Sequence, residues 1–167
     1  YHIDQFESLR PVTVKVMEYT RKMGLDMIQG DHEDAPGQLE LNWMYDDVLR
    51  NADRLTTYRQ ICAQVAREFG IFACFMTKPF MGVSASGCHH NMSLWRGGSD
   101  EFVRCGNDSD SLPGMRENYM YVKGGENTFM PDDDDPQMPG VEGLVAIGGV
   151  VKNLQALTAI GCSTVNS

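Results

Sequence analysis

Positive charge is scarce in this chain of 167 residues: 14 Lys and Arg stand against 23 Asp and Glu, a formal net charge of -9. That balance argues against a surface built to track DNA or RNA phosphates, so no nucleic-acid partner is expected. An acidic protein can still bind nucleotides through Mg2+, which inverts the local charge logic. No apolar run approaches the roughly 18 residues of a membrane-spanning helix, and no signal peptide opens the chain. Cys62, Cys74, Cys88, Cys105 and Cys162 are odd in number and form no C-x-x-C pair. A reduced, cytoplasmic setting follows, with each cysteine read as a small buried apolar residue. Neither a P-loop nor a G-x-G-x-x-G is present, and no spacing ties a Ser or Cys to a His as nucleophile and base.

What is present is ordinary for a soluble globular domain: 42% hydrophobic and 22% charged residues, with length enough for one real core. Residues 7–24 read as a helix with Pro11 in its first turn and Gly24 at its end. Residues 25–31 and 38–43 read as strands around the turn signal Ala35-Pro36-Gly37. The strongest helical periodicity runs from 46 to 69 and stops at Gly70. "IFACFM" (71–76) reads as a buried strand, "GVSASG" (82–87) as a small-residue loop, and "CHHNMSLW" (88–95) as an alternating strand. Residues 96–140 read as a long irregular insertion, and 141–160 as a buried helix loosened at Gly148-Gly149. The chain starts at Tyr1 without Met and stops straight after a helical run. An internal piece of a larger protein is the expectation.

In "GDHEDAPGQLELNW" (30–43), one side of the first strand carries Gln29, Asp31 and Glu33, and one side of the second carries Gln38, Glu40 and Asn42. In 88–95, His89, Asn91 and Ser93 alternate with Cys88, His90, Met92 and Leu94. Carboxylates that face one another repel unless a divalent cation lies between them. Oxygen donors with one His suit Mg2+ or Mn2+ better than Zn2+. The pattern leaves two readings open: a hard-metal site on a curved sheet, or solvated sheet faces. The acidic run Asp132 to Asp135 lacks EF-hand spacing and reads as a solvated loop.

"GDHEDAPGQLELNW", "MTKPF", "SGCHHNMSLW" and "LTAIGCSTVNS" follow one another in an order and at spacings that resemble the catalytic domain of the glutamine synthetase family. The segment "GGENTFMPD" (124–132) is similar to the branch that contains γ-glutamylmethylamide synthetase. The resemblance implies an α+β fold: a curved, barrel-like antiparallel sheet flanked by helices. It implies that 1–167 is a partial catalytic domain, with the N-terminal domain and the C-terminal part lying outside it. It also implies an ATP-dependent ligase joining ammonia or a small amine such as methylamine to the γ-carboxylate of L-glutamate through γ-glutamyl phosphate. The matching assembly is a homo-oligomer, commonly a dodecamer. The alternative is a glutamine synthetase-like structural or binding protein without activity; the joint presence of Glu33, Glu40 and His89 weighs against it.

By the same resemblance, Glu33 and Glu40 ligate one Mg2+ or Mn2+ and His89 the other, the three meeting across a shared hollow. Asn91 and Ser93 contact nucleotide. Tyr45 lies near the base, with core packing as its alternative. Ser84 and Ala85 fall in a loop that contacts the glutamate substrate, where many members carry Asn-Gly. His32 lines the site beside Glu33. His90 is expected in the core, and Lys78 either supports the loop or meets phosphate.

Overall fold

The computed structural model describes residues 1–98, 102–104, 120–122, 124–131 and 137–161. The chain divides into two compact units, 1–87 and 88–167.

In the first unit, helix α1 (Ile3–Lys22) buries Thr13, Val16 and Thr20, a stripe at helical spacing. The hydroxyl of Thr20, fully buried, donates to Val16 O at 2.8 Å, so no polar atom is stranded there. Pro11 lies inside α1 rather than in its first turn, because the helix starts at Ile3. The Glu7 carbonyl forgoes its usual N–H partner, at an exposed position. Gly24 (φ 77°) follows the helix end. Strands β1 (Met27–His32) and β2 (Leu39–Trp43) pair antiparallel. Their turn is a Pro-Gly turn: Gly37 has φ 75° and Gln38 N–H donates to Ala35 O at 3.0 Å. That is the type II arrangement, with Pro and Gly at its two central positions.

Helix α2 (Val48–Glu68) is capped by Asp47, whose side chain accepts from Leu49 N (2.9 Å) and Arg50 N (3.2 Å). This satisfies backbone donors of the first turn. The core forms where α1 meets α2: Val16, Ile61, Cys62 and Val65, with Val12, Tyr19, Leu41, Tyr58 and Ala73 packed around them. Burial pushes the Cys62 thiol up to about 11. Burial first, and then Cys62, also raises the Tyr58 phenol.

Residues 71–76 form no strand. Phe72 is 89% exposed, Ile71, Phe75 and Met76 are also exposed, and Ala73 is the member that packs on the core. An apolar run becomes a strand only where a hydrogen-bonding edge accepts it, and no ladder reaches this one.

In the second unit, residues 88–94 are likewise without strand, and β3 is only Trp95–Gly97. It pairs antiparallel with β6 (Gly125–Asn127), and β4 (Phe102–Arg104) pairs with β5 (Met120–Val122). Three separate two-stranded sheets therefore stand where one curved barrel-like sheet was expected among the described residues. The fold is mixed helix and strand. The 96–140 insertion carries these short strands where it is described; Asp132 to Asp135, Cys105 and Cys162 lie outside the described residues.

Helix α3 (Val141–Lys152) is followed by α4 (Leu154–Gly161). The break falls at Asn153, not at Gly148-Gly149. Asn153 bonds back through its N–H and its Nδ2 to Gly149 O (2.8 Å from Nδ2), which closes α3 and turns the chain by 69°. Both helices are largely exposed rather than buried; Gly143 is the buried residue of α3, held against Phe129 and Pro139. Among the described residues no single helix is long and apolar enough to cross a membrane. Cys74 and Cys88 are exposed, against expectation, and Cys62 is buried.

Candidate functional site

The β1–β2 register decides which side chains share a face. Gln29 pairs with Asn42, Gly30 with Leu41, Asp31 with Glu40 and His32 with Leu39. Beyond β1, Glu33 N–H donates to Gln38 O at 2.9 Å, which carries the same register one pair further. Residues opposite one another in an antiparallel ladder lie on the same side. The two polar combs of the sequence are therefore one face: Gln29/Asn42, Asp31/Glu40 and Glu33/Gln38. Glu33 and Glu40 are diagonal neighbours on it, about 7–8 Å apart in such ladders with their Cβ atoms somewhat closer. The irregularity between Met27 and Gln29 restores Met27, opposite Trp43, to the buried side.

The charge on this face is felt at Tyr1. Its hydroxyl donates to Glu33 Oε2 at 3.0 Å. Its pKa is raised by that bond and the Glu33 charge above all, with Asp34 and Glu40 adding to it. Glu33, Asp34 and Glu40 thus act on one phenol. His32, expected to line the site beside Glu33, alternates instead to the other face because it pairs with Leu39; its ring lies 5.8 Å from Tyr1 and 6.1 Å from Phe6, and its Nδ1 is buried without a partner.

The donor set of the polar face is all oxygen, which suits Mg2+ or Mn2+. Among the described residues no three His, Cys, Asp or Glu side chains converge as a ready metal cage. A hard cation does not require one: Mg2+ typically takes one or two carboxylates and completes its shell with water and phosphate. Two glutamates on one strand pair fit that demand.

The 82–87 loop lies against the turn. Gln38 Nε2 donates to Ala85 O at 3.0 Å and reaches Ser86 Oγ at 3.4 Å, while Ser84 Oγ donates to Asp34 Oδ2. Ser84 and Ala85 are thereby tied to Asp34, which follows Glu33, and to Gln38, which pairs with it. Lys78 donates to Val83 O, a supporting contact across the loop. Tyr45, half-buried, follows β2 between Met44 and Asp46. Arg54 grips both neighbours: it donates to Met44 O (3.4 Å) and lies 2.8 Å from Asp46, with a longer contact to Asp26 (3.5 Å).

In the second unit His89, Asn91 and Ser93 are exposed, and Ser93 Oγ accepts from Trp95 Nε1 at 2.9 Å. His90 is exposed as well, not a core histidine, and its Nε2 lies 3.6 Å from Cys88 Sγ. Asp34 and Arg54 carry contacts that the sequence reading passed over. Asp34 was legible only as a turn acid, and Arg54 only as a polar residue on α2.

A family model described as "Glutamine synthetase, catalytic domain" matches residues 1–120. The chain belongs to the glutamine synthetase family. Glutamine synthetase of Rhizobium leguminosarum bv. phaseoli is 34% identical over 159 residues, covering 93% of this chain and 30% of the relative. That of Thermotoga maritima is 34% identical over 146 residues, covering 87% and 27%. Among solved structures, apo GmaS without ligand superposes with a TM-score of 0.75 at 29% identity, covering 99% of this chain and 33% of that one. A GmaS/ADP complex gives 0.72 at 28% identity. The chain thus spans about a third or less of the length of these glutamine synthetases and GmaS chains.

Proposed function

We propose that the protein carrying this segment ligates ammonia or a small amine to the γ-carboxylate of L-glutamate at the expense of ATP, through γ-glutamyl phosphate. The observation that carries the reading is the single acidic face on which the β1–β2 register gathers Asp31, Glu33 and Glu40 beside the 82–87 loop. Family membership supplies the reaction class. The likeness to GmaS structures supports methylamine as an acceptor beside ammonia.

In this reading Glu33 and Glu40 hold one divalent cation and His89 ligates the other. When bound, Mg2+ or Mn2+ neutralises phosphate charge and aligns the phosphoryl group, which is most of what such a transfer asks of a protein. Asn91 and Ser93 meet the nucleotide, and Tyr45 packs against its base. The backbone of Ser84 and Ala85 receives L-glutamate, so the Asn-Gly of other members is dispensable there. His32 supports the hairpin from its opposite face. The active assembly is a homo-oligomer, taken as a dodecamer, and the setting is cytoplasmic.

The test is phosphate release from ATP by the full-length protein. Release that requires L-glutamate together with ammonia or methylamine is the expected result. Absence of release with ammonia, methylamine and larger amines alike leaves a structural or binding role in its place. Sedimentation of the same preparation measures the assembly.

A further inference from the structure

We infer that Asp34 and Gln38 are positioning residues that lock the 82–87 loop to the metal-ligand hairpin, and so set where L-glutamate is held. The inference rests on the reading above and deepens it, because it concerns how the substrate loop acquires a fixed place.

Gln38 occupies a pivotal position. It pairs with Glu33 across the strands and stands two residues before Glu40 on the same face. Its side-chain amide works in both directions. Oε1 accepts from the Ala35 N–H at 3.1 Å, bracing the turn, and Nε2 donates to Ala85 O at 3.0 Å. Asp34 adds a second tie by accepting from Ser84 Oγ. On its other side the loop is fixed to its own stem. Ser86 N–H donates to Thr77 O at 2.7 Å, and Lys78 holds Val83 O. Each residue from Val83 to Ser86 therefore makes a hydrogen bond, in a segment without helix or strand.

The chemistry at Ala85 suits a ligand. A carbonyl oxygen has two lone pairs, and Gln38 uses one, which orients the group and leaves the second for a cationic donor such as the α-ammonium of glutamate. Ser84, where other members carry Asn, keeps a polar side chain, and Asp34 gives that shorter side chain an anchor. The lock lowers the loop's freedom before substrate arrives. If the competent loop conformation falls to about a tenth of the population, apparent substrate affinity falls about tenfold.

The experiment uses the full-length protein and four variants: Gln38→Glu, Asp34→Ala, Ser84→Ala, and the Asp34→Ala/Ser84→Ala pair. Gln38→Glu retains an acceptor for the Ala35 N–H and loses the donor to Ala85 O; because it also sets a second carboxylate opposite Glu33, its effect is read together with that of Asp34→Ala. Amide exchange at 82–87 is expected to quicken in Gln38→Glu and Asp34→Ala, while α1 and α2 keep their protection. In steady-state assays the KM for L-glutamate is expected to rise about tenfold with the KM for ATP unmoved. The pair is expected to do no more than its worse single member. Unchanged exchange at 82–87 refutes the lock. Faster exchange with an unchanged KM for L-glutamate refutes its role in positioning, as does a joint rise in both KM values with a lowered Tm. Faster exchange in a protein that releases no phosphate with any amine defeats the ligase reading instead, and the positioning role falls with it while the lock stands.

Discussion

Gly30 of β1 faces Thr13 and Met17 of α1 with no room for a side chain, and replacing it with alanine tests the packing that presents the acidic face. A Cβ there would stand 2.7 Å from Thr13 Cγ2 and 2.9 Å from Leu41 Cδ2. Both lie inside the closest approach that carbon atoms tolerate. Thr13 is 2% exposed, so its methyl has nowhere to swing. Leu41 is half-buried and has more freedom. Alanine gains about 0.5–1 kcal/mol over glycine in a regular element. Overpacking costs about 1–3 kcal/mol; with Thr13 fixed, the upper part of about 2–3 kcal/mol applies, leaving a net loss of about 1–2.5 kcal/mol. Urea denaturation followed by circular dichroism should show a lower midpoint with an unchanged slope. Adding Thr13→Ala removes the nearer clash, so the double variant should lose less than the sum of the single losses, with a coupling of about 0.5–1 kcal/mol. A Gly30→Ala protein as stable as the parent, or a double variant whose losses simply add, would refute this account of how the hairpin seats on α1.

Four further outcomes follow from the same geometry. Arg54→Met removes one of the two arginines that hold the carboxylate of Asp46, whose side chain is 5% exposed. Breaking such a pair costs about 3–5 kcal/mol, and Arg50 at 3.2 Å from Asp46 brings the expected loss in urea to the low end. Pairing Arg54→Met with Asp46→Asn should recover part of it. Cys62 keeps its proton to about 11 in the folded state against about 8.5 for a free thiol. The unfolded chain therefore binds fewer protons between these values, and stability should fall as pH rises through that window and be complete below it; Cys62→Ala should flatten this limb of the pH–stability profile. Glu33→Gln and Glu40→Gln each remove a unit charge from the proposed cation, worth about 1–4 kcal/mol at surface distances. Mn2+ binding followed by electron paramagnetic resonance should weaken about tenfold or more, and equal binding in parent and variants would remove both glutamates from the ligand set. Gly37→Val forces a β-branched residue to φ 75° at a cost of about 1–2 kcal/mol, so it should lower both Mn2+ affinity and the urea midpoint, whereas Gly37→Asn should be tolerated.

The hairpin was legible because everything that specifies it is local. Ala35-Pro36-Gly37 names a turn, and the alternation on either side then permits one register, which the ladder follows from Gln29/Asn42 to Glu33/Gln38. The sequence alone left the two acidic combs as separate strands; the register unites them. Residues 88–95 alternate just as cleanly, yet only Trp95 enters a ladder, with Asn127 as its partner. Alternation states that a segment has two faces. It does not supply an edge to pair with, and no adjacent turn provides one there. The apolar run 71–76 fails for the same reason, and the bend at Asn153 was hidden because Gly148-Gly149 looked the weaker point. Helix propensity only loosens the helix at the glycines, and the hydrogen bonds of Asn153 to Gly149 O set where it ends.

The same division between local and distant explains which parts of the site could be read. Glu33 and Glu40 are placed by a turn between them, so their neighbourhood is written in a few consecutive residues. The tie between Gln38 and Ala85 spans 47 positions, and Asp34 meets Ser84 across 50. No pattern in either segment announces the other, since a glutamine in a strand and a small-residue loop are each unremarkable alone. Their pairing becomes visible only when α1 and α2 have fixed the hairpin and the chain leaving α2 has returned past it. The proposed cation site, specified locally, and the proposed substrate loop, attached at long range, are then expected to respond differently to substitution. On the proposed roles, loosening the loop is expected to act on L-glutamate first and straining the turn on both, because Gln38 belongs to the turn and holds the loop at once.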